Sequence, residues 1–209
     1  MVPVNLASRR SKGNLKIVFL PKRLQMITDL IARRRSVFPA QYNDTPIAES
    51  LIRELLEAAN WAPTHKRTEP WRFKVLHSAE SRLKLGEFLR DKYLATEAKP
   101  QQFKAGKLYN NPVQSGAVIA ICMQRDPAES LPEWEELAAT AMAVQNMWLV
   151  CAERKLGCYW SSPGLIRYMG EFFELQPGER CLGFFYMGYY DAALEPGTRG
   201  PVSEKTEWL

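Results

Sequence analysis

The sequence lacks the motifs of several common classes of protein, and these absences exclude some functions. Its 209 residues contain no run of about 18 apolar residues, so we expect no membrane-spanning helix. Its only two histidines, His65 and His77, are far apart, and none of its four cysteines forms a CxxC pair. A zinc site is therefore not expected. The chain also has no GxGxxG dinucleotide loop, no P-loop and no GxSxG nucleophile elbow.

No pair of carboxylates stands out as a catalytic acid and base. If the chain catalyses a reaction, we expect a bound cofactor to supply the chemistry. The length suits one domain with a sizeable core, and 46% hydrophobic and 24% charged residues are ordinary for a globular protein. The cysteines stand in apolar surroundings, which predicts buried thiols in a reducing, cytoplasmic compartment. They are Cys122, Cys151, Cys158 and Cys181.

Acidic residues are scarce at one end of the chain only. Residues 1–35 hold nine Lys and Arg but a single acid, Asp29, which leaves 19 bases and 22 acids in the rest of the chain. We interpret residues 1–25 as a basic N-terminal arm, either a targeting segment or an extension upstream of Met26, and residues 26–209 as one domain. Because the body is slightly acidic, we expect no nucleic-acid partner and no membrane partner for it.

A basic cluster follows the first predicted helix. Arg34 and Arg35 stand directly before Ser36. Guanidinium groups bind phosphate in a fork and a hydroxyl adds a neutral donor, so this cluster has the composition of a phosphate site. The plainer interpretation is that these cations only complement the C-terminal end of a helix dipole.

The stretch 59–73 combines aromatic, basic and hydrogen-bonding side chains between a predicted helix and a predicted strand. It includes Trp61, His65 and the Pro70-Trp71 pair. Loops with such content often hold a ligand, although a proline-rich loop with tryptophans that cover the core is the alternative. A second candidate lies at the Trp160-Ser161-Ser162 turn, whose small residues leave backbone amides open to a planar ligand. An ordinary strand-to-helix turn is the alternative there.

Local patterns predict the elements around these segments. The predicted helices span residues 22–34, 45–60, 78–94, 132–155 and 165–173. The predicted strands span residues 71–77, 117–123, 157–160 and 182–188. We expect Thr45 and Ser78 to act as N-caps and Ser130 to open a capping box with Glu133. Residues 96–111 are polar and basic, which predicts a surface excursion or mobile helix, and Pro112 is expected to begin a strand region.

The predicted helix over 132–155 is apolar nearly all round its central part. Between Ala138 and Cys151 only Thr140, Gln145 and Asn146 are polar. Such a helix has to be buried on both sides, with one side in the core and the other against a second subunit. We therefore predict a homodimer. The chain ends in Trp208-Leu209, and we expect this tail to dock on the partner subunit.

Four segments in this order resemble the FMN-dependent nitroreductase family over nearly the whole chain after Met26. They are Arg34-Arg35-Ser36, the segment from Ala62-Pro63 to Pro70-Trp71, the Ala-rich helix with Gln145-Asn146, and Leu156-Gly157 followed by Trp160-Ser161-Ser162. The details are most similar to its small bacterial branch. This resemblance implies an α+β fold in which a mostly antiparallel central sheet is flanked by helices, within an intertwined homodimer.

The resemblance also implies one FMN at each of two sites between the subunits. Matched to the family's motifs, the residues expected to contact it fall into three groups. Arg34, Arg35, Ser36 and Arg199 would bind its phosphate end, Trp160, Ser161 and Ser162 would lie along the isoalloxazine ring, and Trp61 and His65 would reach it from the partner subunit. No side chain is expected to act as an acid or base, so no catalytic residue is named.

Three positions depart from the family's pattern. Arg67 and Glu69 stand before Pro70-Trp71, where many members have Asn and Gln. Arginine only donates hydrogen bonds and an ionised glutamate only accepts them, whereas the amides do both. Phe38 replaces a basic residue, which removes one expected phosphate contact. These changes are expected to alter the affinity or the potential of the flavin.

The function implied by the resemblance is hydride transfer from NAD(P)H through FMN to a small oxidised acceptor, such as a nitroaromatic or a quinone. Two alternatives remain open. One is an FMN carrier or sensor without turnover. The other is an interaction protein that binds nucleic acid or membrane through its basic residues 1–35.

Overall fold

The computed structural model describes residues 22–209, which fold into helices packed on both faces of one sheet. The α-helices are α1 (Lys22–Arg33), α2 (Glu49–Asn60), α3 (Ala79–Thr96), α4 (Gln102–Gln114) and α5 (Glu133–Glu153). The strands are β1 (Trp71–Leu76), β2 (Ala117–Gln124), β3 (Gly157–Ser161) and β4 (Glu179–Gly188). Short 3-10 helices occupy Pro39–Gln41, His65–Arg67, Gly164–Glu171 and Val202–Lys205. Residues 1–21 of the predicted basic arm lie outside the described residues.

The four strands form an antiparallel sheet in the order β1-β2-β4-β3. β2 is buried on both faces because successive side chains of a strand point to opposite sides. Ile119 and Ile121 belong to the core formed with α2 and α5, whereas Val118 and Ala120 belong to the core formed with α3 and α4. The predicted α+β fold with an antiparallel central sheet is therefore confirmed.

β3 forms one edge of the sheet, and the chain after α1 covers part of that edge. The Val37 amide donates a hydrogen bond of 3.0 Å to the Cys158 carbonyl. The Phe38 ring lies 4.6 Å from the ring of Tyr159. These contacts hold the arginines at the end of α1 beside the start of β3.

The predicted N-cap at Thr45 is wrong, because α2 begins four residues later at Glu49. The Thr45 amide instead donates to the Asn43 side chain at 3.0 Å, which closes a turn. Ile47 is buried, and its carbonyl lies 2.8 Å from His77 Nε2. Tertiary contacts thus keep residues 45–48 out of the helix. The Ser78 cap is confirmed, since its hydroxyl accepts from the Ser81 amide at the start of α3.

Two other local predictions are wrong for similar reasons. Ser130 does not cap α5, because its hydroxyl and amide both donate to the Asp126 carboxylate. Pro112 does not begin a strand but lies inside α4. Its position near the end of α4 limits the hydrogen bonding that the ring disrupts. A close approach of Gly86 to the Tyr109 carbonyl then packs α3 and α4 together.

All four cysteines are buried and free, as predicted. The part of the chain that the structure describes has no helix long and apolar enough to cross a membrane. Across residues 22–209 no group of His, Cys, Asp or Glu is arranged to hold a metal ion.

Candidate flavin-binding site

The first part of the candidate site is a cluster of three arginines, two of which follow directly from the end of α1. Arg34 continues the helical hydrogen bonding by one residue, through a 3.0 Å bond from its amide to the Leu30 carbonyl. Its guanidinium lies 4.6 Å above the ring of Trp148 on α5. One of its nitrogens, Nη1, is buried and has no hydrogen-bond partner among the described residues.

Burial and neighbouring positive charges make the charged form of the Arg34 guanidinium unfavourable in the protein alone. Burial lowers the pKa of Arg34, and the positive charges of Arg199 and Arg35 lower it further, while nearby Cys158 acts in the opposite direction. Within residues 22–209, none of the three arginines takes part in an ion pair. The cluster is therefore a local concentration of positive charge without a carboxylate to balance it.

The C-terminal tail completes this cluster. Arg35 donates from Nε to the Glu195 carbonyl at 3.2 Å and from Nη1 to the Arg34 carbonyl at 2.7 Å. A Cβ on Gly197 would lie 2.5 Å from Arg35 Cζ, so a side chain here would displace the guanidinium that the tail crosses. The tail thereby brings Arg199 towards the other two arginines. Ser36 follows them and is exposed.

The second part of the candidate site is the end of β3. Trp160 is half-buried, but its indole Nε1 is fully buried and lacks a hydrogen-bond partner among the described residues. Ser161 is partly exposed and Ser162 is exposed. Ser161 lies three residues beyond Cys158, or about 10 Å along an extended strand. The arginine cluster and the Trp160–Ser162 turn therefore lie at opposite ends of one short strand.

Trp61 and His65 have other partners within one chain, and His65 is held away from the arginine cluster. Trp61 is 79% exposed, and its Nε1 donates to Glu57 at 2.9 Å. His65 Nδ1 lies 2.6 Å from the carboxylate of Glu135, in the first turn of α5. Trp148, beside Arg34, is 13 residues further along α5, which corresponds to about 20 Å along a helix axis.

The loop that carries His65 has an unusual backbone. Lys66, Arg67 and Glu69 have φ values of 51°, 55° and 43°. Residues with side chains rarely adopt this left-handed conformation, and such strain occurs often in binding loops. Sequence reasoning identified Arg67 and Glu69 by their residue types but could not reveal the strain, since neither is a glycine or asparagine.

Sequence reasoning also missed a cavity beside the Trp160–Ser162 turn. It lies between α3, α4 and the 3-10 helix Gly164–Glu171, and Lys104, Lys107 and Arg167 line it together with Ser161. The basic composition of residues 96–111 was the only signal in the sequence. That signal gave no indication of what the cations would face.

Comparison with known proteins decides the family of the chain. The family model described as Nitroreductase family matches residues 31–189. The chain belongs to the nitroreductase family. Its members are oxidoreductases, so membership indicates this class of reaction.

Two relatives illustrate how much of this nitroreductase-family chain is shared. A Bacillus subtilis protein, YfhC, provisionally described as an NAD(P)H nitroreductase, is 31% identical over 188 residues, which cover 86% of this chain and 92% of that protein. The crystal structure of a nitroreductase-like family protein from Bacillus cereus is 34% identical, with a TM-score of 0.76, and covers 88% of this chain and 95% of that one.

A more distant structure shares the fold. A provisionally assigned nitroreductase from Desulfovibrio desulfuricans, crystallised in complex with FMN, is 22% identical and has a TM-score of 0.64. It covers 88% of this chain and 96% of that one.

The residues of this chain fit FMN in charge and in donor content. The arginine cluster offers a buried, unpaired N–H group and a net positive charge, and a phosphate needs both. The Trp160 indole offers a second unpaired donor at the other end of β3. A buried donor without a partner is energetically unfavourable, so a ligand that accepts from it would stabilise this arrangement.

Proposed function

We propose that this protein is an FMN-dependent oxidoreductase that transfers hydride from NAD(P)H to a small oxidised acceptor. The observation that carries the proposal is the convergence of Arg34, Arg35 and Arg199 without a balancing carboxylate in the described chain, in a member of the nitroreductase family. A phosphate monoester would supply the missing negative charge.

The three arginines and Ser36 would hold that phosphate. Arg34 is the central member, because it is half-buried and fixed against Trp148. Arg35 is fixed by its hydrogen bonds to backbone carbonyls, so it contributes charge and rigidity more than free donors. Arg199 is exposed and would approach from the tail. A pre-formed cluster of this kind lowers the entropy that binding has to overcome.

The end of β3 would position the ring system. The end of β3 away from the arginine cluster carries several hydrogen-bond donors. They are Trp160 Nε1, the Ser161 and Ser162 side chains and the backbone amides of this turn. Bound FMN would supply the redox chemistry, by accepting hydride from NAD(P)H and passing two electrons to the acceptor. The protein's own contribution is to bind, orient and partly desolvate the reacting groups.

The site is proposed to be completed in a homodimer. Trp61 and His65 are exposed, and His65 is paired with Glu135, about 20 Å along α5 from Trp148, so we propose that both act on a site shared with a partner. Leu137 and Met142 on α5 are 39% and 40% exposed, which supports α5 as the interface. Trp208 is 93% exposed in the single chain, which supports docking of the tail on the partner.

The four free, buried thiols also support the proposal that the protein functions in a reducing compartment such as the cytoplasm.

Steady-state kinetics test the proposed reaction. In the absence of oxygen, protein reconstituted with FMN should oxidise more than one equivalent of NADH or NADPH only when an acceptor such as menadione or 4-nitrobenzamide is present. If donor and acceptor occupy the same slot in turn, double-reciprocal plots at several acceptor concentrations should be parallel. Protein that retains FMN but oxidises neither donor would instead be a carrier or sensor.

A further inference from the structure

A cavity of about 330 Å³ lies beside the Trp160–Ser162 turn, and the side chains that line it have an excess of positive charge. Lys104 and Lys107 stand three residues apart on α4, so they share one face of that helix. Arg167 lines the same cavity from the 3-10 helix opposite. Glu97 is the one acidic side chain that lines it.

These three cations are available to a ligand. In the part of the chain that the structure describes, Lys104, Lys107 and Arg167 form no ion pair. Arg167 is held 4.8 Å above the ring of Tyr168, which orients its guanidinium without neutralising it. Three unpaired cations around one concave surface create a positive potential that attracts an anion.

A second cavity, of about 470 Å³, continues from the first along α4. The two share Lys107, Asn111 and Tyr159 as lining residues. The second is more apolar, and the rings of Phe38 and Phe103 line it. Together they form a groove with an aromatic part and a cationic part, joined at Lys107 and Tyr159.

The groove lies next to the residues predicted to contact the flavin. Ser161 lines the cationic cavity directly, and Tyr159 precedes Trp160 on β3. Because side chains alternate along a strand, Tyr159 and Ser161 face this groove whereas Trp160 packs on the opposite side of β3. A molecule in this groove would therefore approach the flavin ring on the Ser161 side of the turn.

We propose that this groove selects substrates that carry an anionic group, with Lys104, Lys107 and Arg167 binding that group. The inference rests on the proposed function, because it assigns the groove to the molecules that exchange electrons at that turn. The anionic group belongs either to an aromatic acceptor, as a carboxylate, or to the nicotinamide donor, as a phosphate. The chemistry of recognition is the same in both cases.

Calorimetric titration of the FMN-reconstituted protein with 4-nitrobenzoate and with uncharged 4-nitrobenzamide tests the acceptor arm. The two probes have nearly the same shape and differ in charge. The triple variant Lys104→Gln, Lys107→Gln, Arg167→Gln should raise the Kd of 4-nitrobenzoate by about tenfold, through small contributions from exposed charge pairs. The Kd of 4-nitrobenzamide should change less than about twofold, since it carries no charge for these cations to attract. Added salt should weaken binding of the benzoate only.

A control triple variant, Arg53→Gln, Lys84→Gln, Arg154→Gln, removes the same net charge from exposed positions outside the groove. It should leave both dissociation constants unchanged. This control separates a local effect of the groove from the loss of overall positive charge.

Steady-state kinetics with NADPH and NADH test the donor arm. A raised KM for NADPH in the groove variant, with unchanged 4-nitrobenzoate binding, would assign the cations to the donor's phosphate and still support anion selection. Unchanged values for all probes relative to the control would overturn it. Failure of the proposed function gives a different result. Protein that binds 4-nitrobenzoate through these cations but is not reduced by NAD(P)H would support the anion-binding groove and contradict the redox function.

Discussion

Arg34 is the residue whose surroundings are hardest to explain without a bound anion. Its guanidinium is packed on Trp148, lies near Arg35 and Arg199, and has one buried nitrogen without a partner in the described chain. Placing like charges together in a partly buried position destabilises the protein unless a negative group is added. A phosphate at this position would reverse the sign of the interaction.

Replacement of Arg34 by alanine should weaken FMN binding by about 1.5–3 kcal/mol, the range for a hydrogen bond to a charged group. Quenching of FMN fluorescence measures the affinity. Arg53→Ala is the control, because Arg53 is exposed and already paired with Glu49 at 2.5 Å. An Arg34→Ala protein that binds FMN as tightly as the wild type would remove this residue from the phosphate site.

Trp160 allows a second test, in which stability and binding should separate. Trp160→Phe keeps an aromatic ring but removes the buried, unpaired Nε1–H group. FMN affinity should fall by about 0.5–1.5 kcal/mol. The urea midpoint of the unliganded protein should change only through the smaller packed ring, since no protein hydrogen bond is lost. Equal losses in stability and in affinity would show that the indole has only a structural role.

At the scale of the elements, Gly183 fixes the position of Trp160. It lies on β4 with a φ of +149°, next to an irregularity in the pairing with β2. A Cβ at this position would lie 2.4 Å from Trp160 Nε1 and 2.5 Å from the Ser161 carbonyl. The absence of a side chain on β4 is thus what allows the end of β3 to lie where the structure has it.

Gly183→Ala should therefore lower the free energy of unfolding by about 2–4 kcal/mol, from backbone strain and overpacking together. Gly106→Ala is the matched control, because no atom lies within 4 Å of the added Cβ and the residue is helical. The control should raise the stability by about 0.5–1 kcal/mol. Urea unfolding of both variants measures the difference, and a Gly183→Ala protein as stable as the wild type would contradict the proposed packing.

Sequence reasoning succeeded at the elements whose signals are local. The Ser78 cap and the buried strand β2 depend on neighbouring residues, and both were predicted correctly. Thr45 looked equally suitable as a cap, but Asn43 and the buried Ile47 hold its segment in another conformation. Ser130 failed because Asp126 competes for its hydroxyl. A residue pattern cannot reveal such competition when the competing contact is set by the tertiary structure.

The candidate site was predictable to a similar degree. Arg34 and Arg35 were found from residue type and spacing, and their contacts support the role that the resemblance implied. The approach of Arg199 depends on where the tail crosses Arg35, and no local pattern encodes this. Lys104, Lys107 and Arg167 are separated by up to 63 residues in the sequence, and only the packing of α4 brings them around one cavity.

In the whole molecule, the proposed flavin site requires a second subunit. Leu137→Glu combined with Met142→Glu should convert a dimer, of about twice the 23.9 kDa of one chain, into a monomer, because buried carboxylates would be unpaired in the interface. Sedimentation equilibrium measures the mass. The monomer should also bind FMN more weakly, since Trp61 and His65 of the partner would be lost.

Leu83→Glu is the control for this change. Leu83 lies on α3 and is 38% exposed, close to the exposure of the two α5 residues. This variant should remain dimeric and retain FMN affinity. A wild-type protein that sediments as a monomer, or an α5 variant that remains dimeric, would contradict the proposed interface.

The most direct test of the central claim is the visible absorption spectrum of the purified protein after FMN has been added and the excess removed. The expected result is a retained flavin band that bleaches when NADH or NADPH is added without oxygen. A retained band that neither donor bleaches would contradict the oxidoreductase function. Protein that retains no flavin at all would contradict the assignment of the arginine cluster and the Trp160–Ser162 turn to FMN.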